Sequence, residues 1–347
     1  MESLSQVIQG IGPLDQRSMD KARKRQDELV KPQGSLGRLE ELSIKICGIK
    51  REEFPRLSRK AIITLAGDHG VVDAGVTKWP REVTAQMVKN FALGNAGINV
   101  LAHHTGCRVV VVDIGVASEL EPHPNLLSRK VNRGTQDLSQ GPAMTREEAQ
   151  ASIEEGIRIV DELSEELDIV GTGDMGIGNT TPSAAIAAVI THRKVEEVTG
   201  RGAGVDDDML SHKVEVINRA IEINQPQPQD PLDVLSKVGG FEIGGICGVI
   251  LGAAHHHIPV VIDGFISGAA ALIAADLCPQ VKDYLIASHL SVEPGHRFVL
   301  EHLGLSPLFN LGMRLGEGTG AALGIFLCEA ATNILSQMKT FNEAGIS

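Results

Sequence analysis

The stretch that decides the fold class is residues 167–182, which reads LDIVGTGDMGIGNTTP. A mostly apolar run at 167–170 precedes the glycines, and small helix-forming residues follow at 183–190. This order predicts a strand, a glycine-rich turn and a helix. Glycines allow the backbone to approach a ligand closely, and the helix N-terminus favours negative charge. The stretch therefore predicts a site for a phosphate-bearing ligand.

The same pattern, an apolar run that ends in glycine and polar residues, recurs along the chain. The runs are residues 61–70, 108–116, 167–176, 259–265 and 284–291. Helical spacing separates them, as in Val83, Met87, Val88 and Phe91. We therefore predict an α/β fold, a Rossmann-like parallel sheet flanked by helices. Ligands bind such sheets outside the carboxyl ends of the strands.

The two ends of the chain lack this rhythm of strand and glycine. Residues 1–30 and 305–347 read as helical, and we expect them to form a small discontinuous helical domain. Residues 31–304 would form the large α/β domain. The glycine turn at 316–320 would complete the active site from the C-terminal segment.

Composition excludes several classes of function. The 347 residues carry a net charge of −12 and give a pI near 5.5, with no cluster of Lys and Arg interleaved with aromatics. We therefore expect no nucleic-acid partner. The five cysteines are scattered and form no C-x-x-C pair, so we predict reduced core thiols.

We expect a cytoplasmic protein with no membrane span. Residues 1–30 contain no apolar signal-peptide core. No later apolar run reaches the roughly 18–20 residues that a membrane span needs.

Two further glycine turns, at 200–204 and 315–320, accompany the first. No G-K-[ST] follows any of them, which excludes a Walker loop. Residues 171–176 match the dinucleotide fingerprint G-x-G-x-x-G in letters, but where an NAD site wants an acidic residue at a strand end, the region after Val189 offers THRK at 191–194. A dinucleotide enzyme is therefore the second hypothesis.

Single acidic residues at turns offer candidate chemistry. Glu317 lies between glycines and could act as a general base in a partly desolvated pocket, or could stabilise a helix N-terminus. Asp263 and Asp113 end strands, where they could bind ribose hydroxyls or cap a turn.

We expect neither a metal nor another cofactor. Histidines occur at 69, 255–257, 289 and 296, but no H-E-x-x-H pair is present. Satisfied core or rim histidines are the favoured interpretation of the 255–257 triplet. No G-x-S-x-G elbow and no cysteine in a strand-end turn indicate a nucleophile.

Several longer motifs together resemble the nicotinate-nucleotide–dimethylbenzimidazole phosphoribosyltransferases, from about residue 5 to residue 340. They are KPQGSLGRLE at 31–40, GDHGV at 67–71, EVTAQMV at 82–88, GIGNTT at 176–181, DGF at 263–265 and GEGTG at 316–320. The resemblance implies transfer of the 5-phosphoribosyl group of nicotinate mononucleotide to 5,6-dimethylbenzimidazole. The products would be nicotinate and α-ribazole 5′-phosphate, used in cobalamin assembly. It also implies a homodimer of a parallel α/β domain with a small helical domain.

The resemblance also implies roles for individual residues. Glu317 would be the catalytic base, and Asp174 would stabilise cationic charge. Phosphate and nucleotide binding would fall to Gly173, Gly176, Gly178, Asn179, Thr180, Gly202, Gly204, Lys213, Asp263, Gly264 and Ser291. The base would be bound by Trp79, Pro80, Gln86, Met175 and Leu315.

Two alternatives remain open from the sequence. One is an enzyme related to NAD(P)-dependent dehydrogenases, and the other is a regulatory protein that binds nucleotides without chemistry. Replacement of Glu317 separates them, because only a transferase that uses this carboxylate as a base would lose turnover while it keeps nucleotide binding.

Overall fold

A computed structural model describes residues 3–346 of the chain. Its centre is one sheet of six parallel strands in the order β3-β2-β1-β4-β5-β6. The strands are β1 (Lys60–Gly67), β2 (Arg108–Gly115), β3 (Leu126–Ser128), β4 (Ile169–Met175), β5 (Val260–Ile262) and β6 (Leu285–Ala287). The predicted parallel α/β fold is confirmed.

Helices connect the strands and cover both faces of the sheet. They are α1 (Leu4–Gly10), α2 (Gln16–Glu28), α3 (Arg38–Lys50), α4 (Val83–Leu93), α5 (Gly97–Thr105), α6 (Arg146–Leu163), α7 (Thr180–Thr191), α8 (Val195–Val198), α9 (Asp207–Asn224), α10 (Pro231–Val238), α11 (Phe241–His255), α12 (Phe265–Leu277), α13 (Pro294–Leu303), α14 (Thr319–Gln337) and α15 (Phe341–Ala344). Short 3₁₀ turns lie at Gly70–Ala74, Ser164–Glu166 and Pro279–Tyr284.

Alternation along β1 explains why the sheet is buried on both sides. Ile62 faces a core built with α3, α4, α5 and α14, whereas Ile63 and Leu65 face a core built with α6, α7, α11 and α12. Successive side chains of a strand point to opposite faces, so a strand covered on both sides must be apolar at every position. This is why β1 reads as a continuous apolar run.

The strand order places a binding crevice between β1 and β4. The chain builds β2 and β3 on one side of β1 and then crosses to the other side for β4, β5 and β6. Adjacent connections leave the carboxyl ends of β1 and β4 in opposite directions, which opens a crevice where parallel sheets bind ligands. The glycine-rich turn that follows β4 lies at this point.

The turn after β4 is shorter than the sequence predicts. Gly171 and Gly173 lie inside the buried strand β4, and α7 begins at Thr180, so only residues 176–179 form the turn. The glycines of the apparent dinucleotide fingerprint are therefore split between strand and turn. The edge strand β3 is a further difference, since no prediction covered its three residues.

The division into two domains stays a prediction, and residues 1, 2 and 347 of it lie outside the described residues. Helix α14 packs on α3 and α5 and also on β4 and β5, while α1 packs on α11. Helix α14 is 19 residues long and apolar enough that, by length and composition alone, it could cross a membrane. The prediction that no segment reaches this length therefore missed α14, whose packing against the sheet is that of a core helix.

Candidate active site

A cavity of about 450 Å³ lies at the carboxyl ends of the strands, beside the turn that follows β4. Six segments distant in sequence, together with Lys213, form its walls. They are residues 76–87, residues 174–180, the turn at 201–205 with Lys213, and residues 264–266 with 289–293 and 314–317. All three glycine turns predicted from the sequence therefore contribute to one site.

One end of the cavity is built to hold an anion. Helix α7 begins there at Thr180, and its N-terminal N–H groups favour negative charge. The Lys213 ammonium donates a 2.7 Å hydrogen bond to the Thr180 hydroxyl and is 1% exposed. Burial lowers the pKa of Lys213 to about 8, and the charge of Glu293 acts in the opposite direction. The ammonium remains mostly charged at neutral pH.

Side chains from three other segments hold the turn at 200–204 beside Lys213. Lys213 also donates to the Gly200 carbonyl at 3.4 Å, and Arg314 Nη1 donates to the Gly202 carbonyl at 2.8 Å. The Gly202 N–H donates to Glu293 Oε1 at 2.9 Å. The turn is thus fixed by two cations and one carboxylate.

Glu317 places a buried carboxylate at the other end of the cavity. Its backbone has φ +65°, a left-handed conformation that is rare for residues other than glycine. The Thr64 hydroxyl donates to the Glu317 carbonyl at 2.8 Å, and the Glu317 N–H donates to the Asp174 carbonyl at 3.2 Å. These bonds tie the turn to β1 and β4 and aim the side chain.

Among the described residues, one group donates a hydrogen bond to the Glu317 carboxylate. Oε2 accepts the Ile98 N–H at 3.1 Å, at the start of α5. Burial raises the pKa of Glu317 above its ordinary value, and the Ile98 hydrogen bond partly offsets this increase. A carboxylate with a raised pKa is a stronger base than a solvated one, which suits proton abstraction.

The close packing of this turn depends on Gly173. A Cβ atom at Gly173 would lie 2.3 Å from the Glu317 carbonyl oxygen and 2.6 Å from its carbonyl carbon. Such distances do not occur between real atoms, so a side chain here would displace the turn. Gly173 therefore supports the site from behind and does not line the cavity.

Asp174 lies at the end of β4 between the two ends of the cavity. Its Oδ2 accepts a 3.0 Å hydrogen bond from the Asn179 side chain, and its buried Oδ1 has no partner among the described residues. Burial, and then the neighbouring charge of Asp263, raises the pKa of Asp174 to about 8. The carboxyl is therefore largely protonated at neutral pH.

Asp263 points away from the cavity, toward the start of α14. Its carboxylate accepts the Gly318 N–H at 3.2 Å and the Ala321 N–H at 3.0 Å. Burial raises the pKa of Asp263 to about 7 even though these hydrogen bonds lower it. The contacts favour the turn-capping role over ribose binding. Asp113, at the end of β2, caps a turn as well, through the Val116 N–H at 2.9 Å.

Part of the cavity wall is apolar. Trp79, Val83, Met87, Met175 and Leu315 line it. Trp79 and Leu315 are 51% and 59% exposed, so they stand at the mouth of the cavity. A flat heterocycle could enter here and bring a ring nitrogen toward the Glu317 carboxylate.

Most of the predicted site residues lie together around this cavity. Glu317, Asp174, Gly176, Gly178, Asn179, Thr180, Gly202, Lys213, Gly264, Ser291, Trp79, Met175 and Leu315 line it. Gly173, Gly204, Asp263, Pro80 and Gln86 are not among its lining residues.

Several lining residues had no predicted role. They include Arg201, Arg314, Glu293, His289 and Phe265. Two of them could have been noticed, because Arg201 and Arg314 adjoin glycine turns and a phosphate site needs cations. Glu293 and His289 lie outside the three predicted glycine turns, so the sequence offers no comparable signal for them.

The histidine clusters have protein partners. His69 pairs with Glu242 at 2.8 Å and His256 with Asp161 at 2.8 Å. Within residues 3–346, no group of three His, Cys, Asp or Glu side chains is arranged to hold a metal ion.

Comparisons with known proteins agree with this geometry. A family model described as "Phosphoribosyltransferase" matches residues 11–346. The chain is 57% identical to the nicotinate-nucleotide–dimethylbenzimidazole phosphoribosyltransferase of Desulforudis audaxviator, over 100% of this chain and 99% of that protein. It is 59% identical to the protein of the same name from Roseiflexus sp., with the same coverage.

A solved structure shares the fold. The crystal structure of the phosphoribosyltransferase of the same name from Thermus thermophilus superposes with a TM-score of 0.91 and is 44% identical. The match covers 96% of this chain and 99% of that one. The chain belongs to the nicotinate-nucleotide–dimethylbenzimidazole phosphoribosyltransferase family.

Proposed function

We propose that this enzyme transfers the 5-phosphoribosyl group of nicotinate mononucleotide to 5,6-dimethylbenzimidazole. The observation that carries the proposal is the position of Glu317. It places a buried carboxylate with a raised pKa in the same cavity as the anion-binding end around Lys213. The names of the relatives point to the same reaction. The product would serve in the assembly of the nucleotide loop of cobalamin.

The chemistry needs one base and no general acid. Nicotinate in its nucleotide is a pyridinium. When the C1′–N bond breaks, its electron pair moves to the ring nitrogen and neutralises the positive charge of the ring, so the leaving group needs no proton. The imine nitrogen of the benzimidazole forms the new bond to C1′ and makes that heterocycle cationic. Its other nitrogen then loses a proton to Glu317. Alignment of the two rings on opposite sides of C1′ supplies much of the remaining rate.

The nucleotide phosphate would lie at the N-terminus of α7. Lys213 and Thr180 meet there with the N-terminus of α7, which supports an assignment of this end to the phosphate. Arg201 and Arg314 line the same end and add positive charge. The benzimidazole would occupy the apolar end beside Trp79, Met175 and Leu315.

Asp174 would respond to the charge of the ligand. Its carboxyl is largely protonated in the free cavity because its pKa is about 8. A cationic ring nearby favours the ionised form and lowers that pKa. We propose that Asp174 loses its proton as the pyridinium binds and then stabilises cationic charge.

The test is a direct assay of both products. Purified enzyme is mixed with nicotinate mononucleotide and 5,6-dimethylbenzimidazole, and nicotinate and the ribosylated base phosphate are followed by mass spectrometry. We expect Glu317→Gln to lower turnover by about 10²–10⁴-fold, the usual contribution of a general base. Binding of nicotinate mononucleotide should change by no more than about threefold, because the phosphate end is untouched.

Glu301→Gln is the matched control. Glu301 is an exposed acid on α13, outside the cavity, so its amide variant should keep wild-type turnover. If the wild-type enzyme binds the nucleotide but forms neither product, the transferase proposal fails and a non-catalytic nucleotide-binding protein is favoured. A change in NAD(P)H absorbance would instead support the dehydrogenase alternative.

We propose that the enzyme acts as a homodimer, the state implied by the family resemblance. Large apolar side chains stand exposed near the cavity, including Leu311 at 65% and Leu315 at 59%. Such side chains are typical of surfaces that associate. Sedimentation velocity would give the mass of the assembly, and a monomer at micromolar concentration would contradict this part of the proposal.

We also propose that the enzyme acts in the cytoplasm. All five cysteines are free and buried, as expected for a chain that folds in a reducing compartment. Fractionation of cells that express the protein would test this location.

A further inference from the structure

The segment at 291–296 carries a buried carboxylate that the proposed reaction does not use. Glu293 lines the anion-binding end of the cavity and is 5% exposed. A carboxylate beside a phosphate site repels the phosphate unless a neighbouring cation or hydrogen-bond donor offsets the negative charge of the carboxylate. Its position therefore needs a physical reason.

Contacts on both sides fix the Glu293 side chain against the 200–204 turn. Oε1 accepts the Gly202 N–H at 2.9 Å. A Cβ atom at Gly200 would lie 2.1 Å from Oε2, so the carboxylate packs directly on the backbone there. Oε2 has no hydrogen-bond partner among the described residues. The carboxylate is held closely but keeps one oxygen free of donors.

The segment that carries Glu293 is itself braced. The Glu293 N–H donates to the Ser291 hydroxyl at 3.3 Å, and the Ser291 N–H donates to His296 Nδ1 at 3.0 Å. Burial lowers the pKa of His296 to about 3, so this imidazole stays neutral and keeps its acceptor nitrogen at every working pH. The support of Glu293 therefore does not change over the neutral range.

Lys213 contacts the same two glycines from its own side. Its ammonium donates to the Gly200 carbonyl, and a Cβ atom at Gly202 would lie 3.5 Å from Nζ. The ammonium is buried, and among the charged groups around it only the attraction of Glu293 opposes the cost of that burial. Asp174, Glu317 and His289 line the same cavity, and Arg201 and Arg314 line it as cations.

We infer that Glu293 is a positioning residue for nucleotide binding, which fixes the 200–204 turn through the Gly202 N–H and supplies the countercharge of the Lys213 ammonium. The inference rests on the proposed function only for the identity of the nucleotide. Two substitutions separate its two parts. Glu293→Gln keeps an oxygen for Gly202 and removes the charge. Glu293→Asp keeps the charge and draws the oxygen away from Gly202 by one methylene.

The experiment measures the affinity for nicotinate mononucleotide by calorimetry at about pH 6.5 and about pH 9, on either side of the Lys213 pKa of about 8. The phosphate is largely dianionic over this range. We expect Glu293→Gln to bind within about threefold of wild type at the lower pH and about tenfold more weakly than wild type at the higher pH, because one pKa unit corresponds to tenfold. We expect Glu293→Asp to lose about threefold to tenfold at both pH values, the effect of one hydrogen bond.

Two controls exclude other causes. Glu301→Gln reports on loss of an exposed charge and should match wild type at both pH values. Asp174 titrates in the same range, since its pKa is about 8, so each Glu293 variant is also measured in Asp174→Asn. The Glu293→Gln shift should persist there.

Three results would overturn the inference. They are an unchanged pH profile in Glu293→Gln, tighter binding in Glu293→Gln at both pH values, and wild-type binding by Glu293→Asp. Tighter binding would mean that Glu293 only repels the phosphate. Because binding is measured without turnover, the outcome is independent of whether the proposed transfer occurs.

Discussion

Replacement of Gly173 by alanine should damage the site through the backbone alone. The added Cβ would start 2.3 Å from the Glu317 carbonyl oxygen, whereas ordinary contact begins at 3.4 Å, so the turn must retreat by about 1 Å. The added Cβ cannot instead move toward β1, because the Thr64 hydroxyl would lie only 2.7 Å from it. A displacement of about 1 Å at a catalytic group can cost about 10²-fold in rate.

Stability should fall as well. Glycine inside a strand is normally less stable than alanine by roughly 0.5–1 kcal/mol, so an unobstructed Gly→Ala change would stabilise the fold. Overpacking against backbone at Gly173 instead costs about 1–3 kcal/mol. Gly173→Ala should therefore lower the stability of the fold, although alanine is intrinsically preferred over glycine in a strand.

The assay compares kcat and melting temperature with those of Gly141→Ala, where a Cβ meets nothing within 4 Å. We expect Gly141→Ala to keep both values near wild type. We expect Gly173→Ala to lose about 10²-fold in kcat and to melt about 1–4 °C lower, at roughly 1.4 °C per kcal/mol for a chain of this length. A Gly173→Ala enzyme with wild-type kcat would show that the position of the Glu317 turn does not depend on this contact.

Three other variants test single features of the cavity. Because burial raises the pKa of Asp174 from 3.8 to about 8, the fold loses stability as the pH rises between these values. Asp174→Asn should therefore melt at least about 2 °C higher than wild type at pH 8, and this gain should shrink toward pH 5. An equal difference in melting temperature at both pH values would contradict this prediction. Trp79→Ala should raise KM for the base by about threefold to tenfold, because Trp79 lines only the mouth of the cavity, and should leave KM for the nucleotide unchanged. Equal effects on both KM values would refute the placement of Trp79 beside the base. Lys213→Ala should weaken nucleotide binding by at least about tenfold in calorimetry, and unchanged affinity would remove Lys213 from the phosphate site.

The sequence predicted the strands whose apolar residues and end signals are close together in the chain. Four of the six strands end in or are followed by glycine, and β6 is followed by Ser288 and His289, so an apolar run and its stop signal are visible together. Strand β3 is three residues long at the edge of the sheet and has no such run. Short edge strands form because a neighbour offers hydrogen bonds, which is information that the local sequence lacks.

The site was harder to predict where a residue acts through distant partners. Gly173 looked like part of a ligand loop, yet its small size is needed by Glu317, far along the chain. Asp263 looked available to a ribose, yet backbone N–H groups at the start of α14 occupy it. Glu293 gave no local signal at all, because its partner Gly202 is 91 positions away. Composition and motif spacing do not encode such pairings.

The long separations within the cavity have a consequence for synthesis of the protein. Ile98 and Glu317 are 219 positions apart, and Thr64 and Glu317 are 253 apart. Chains are synthesised at about 5–20 residues per second and fold progressively, so the last residue of β6 is added about 1.5–6 seconds before Glu317. A nascent chain can therefore offer the anion-binding end to a nucleotide while it still lacks the base. Activity begins only when α14 docks on the sheet and brings Glu317 to the cavity.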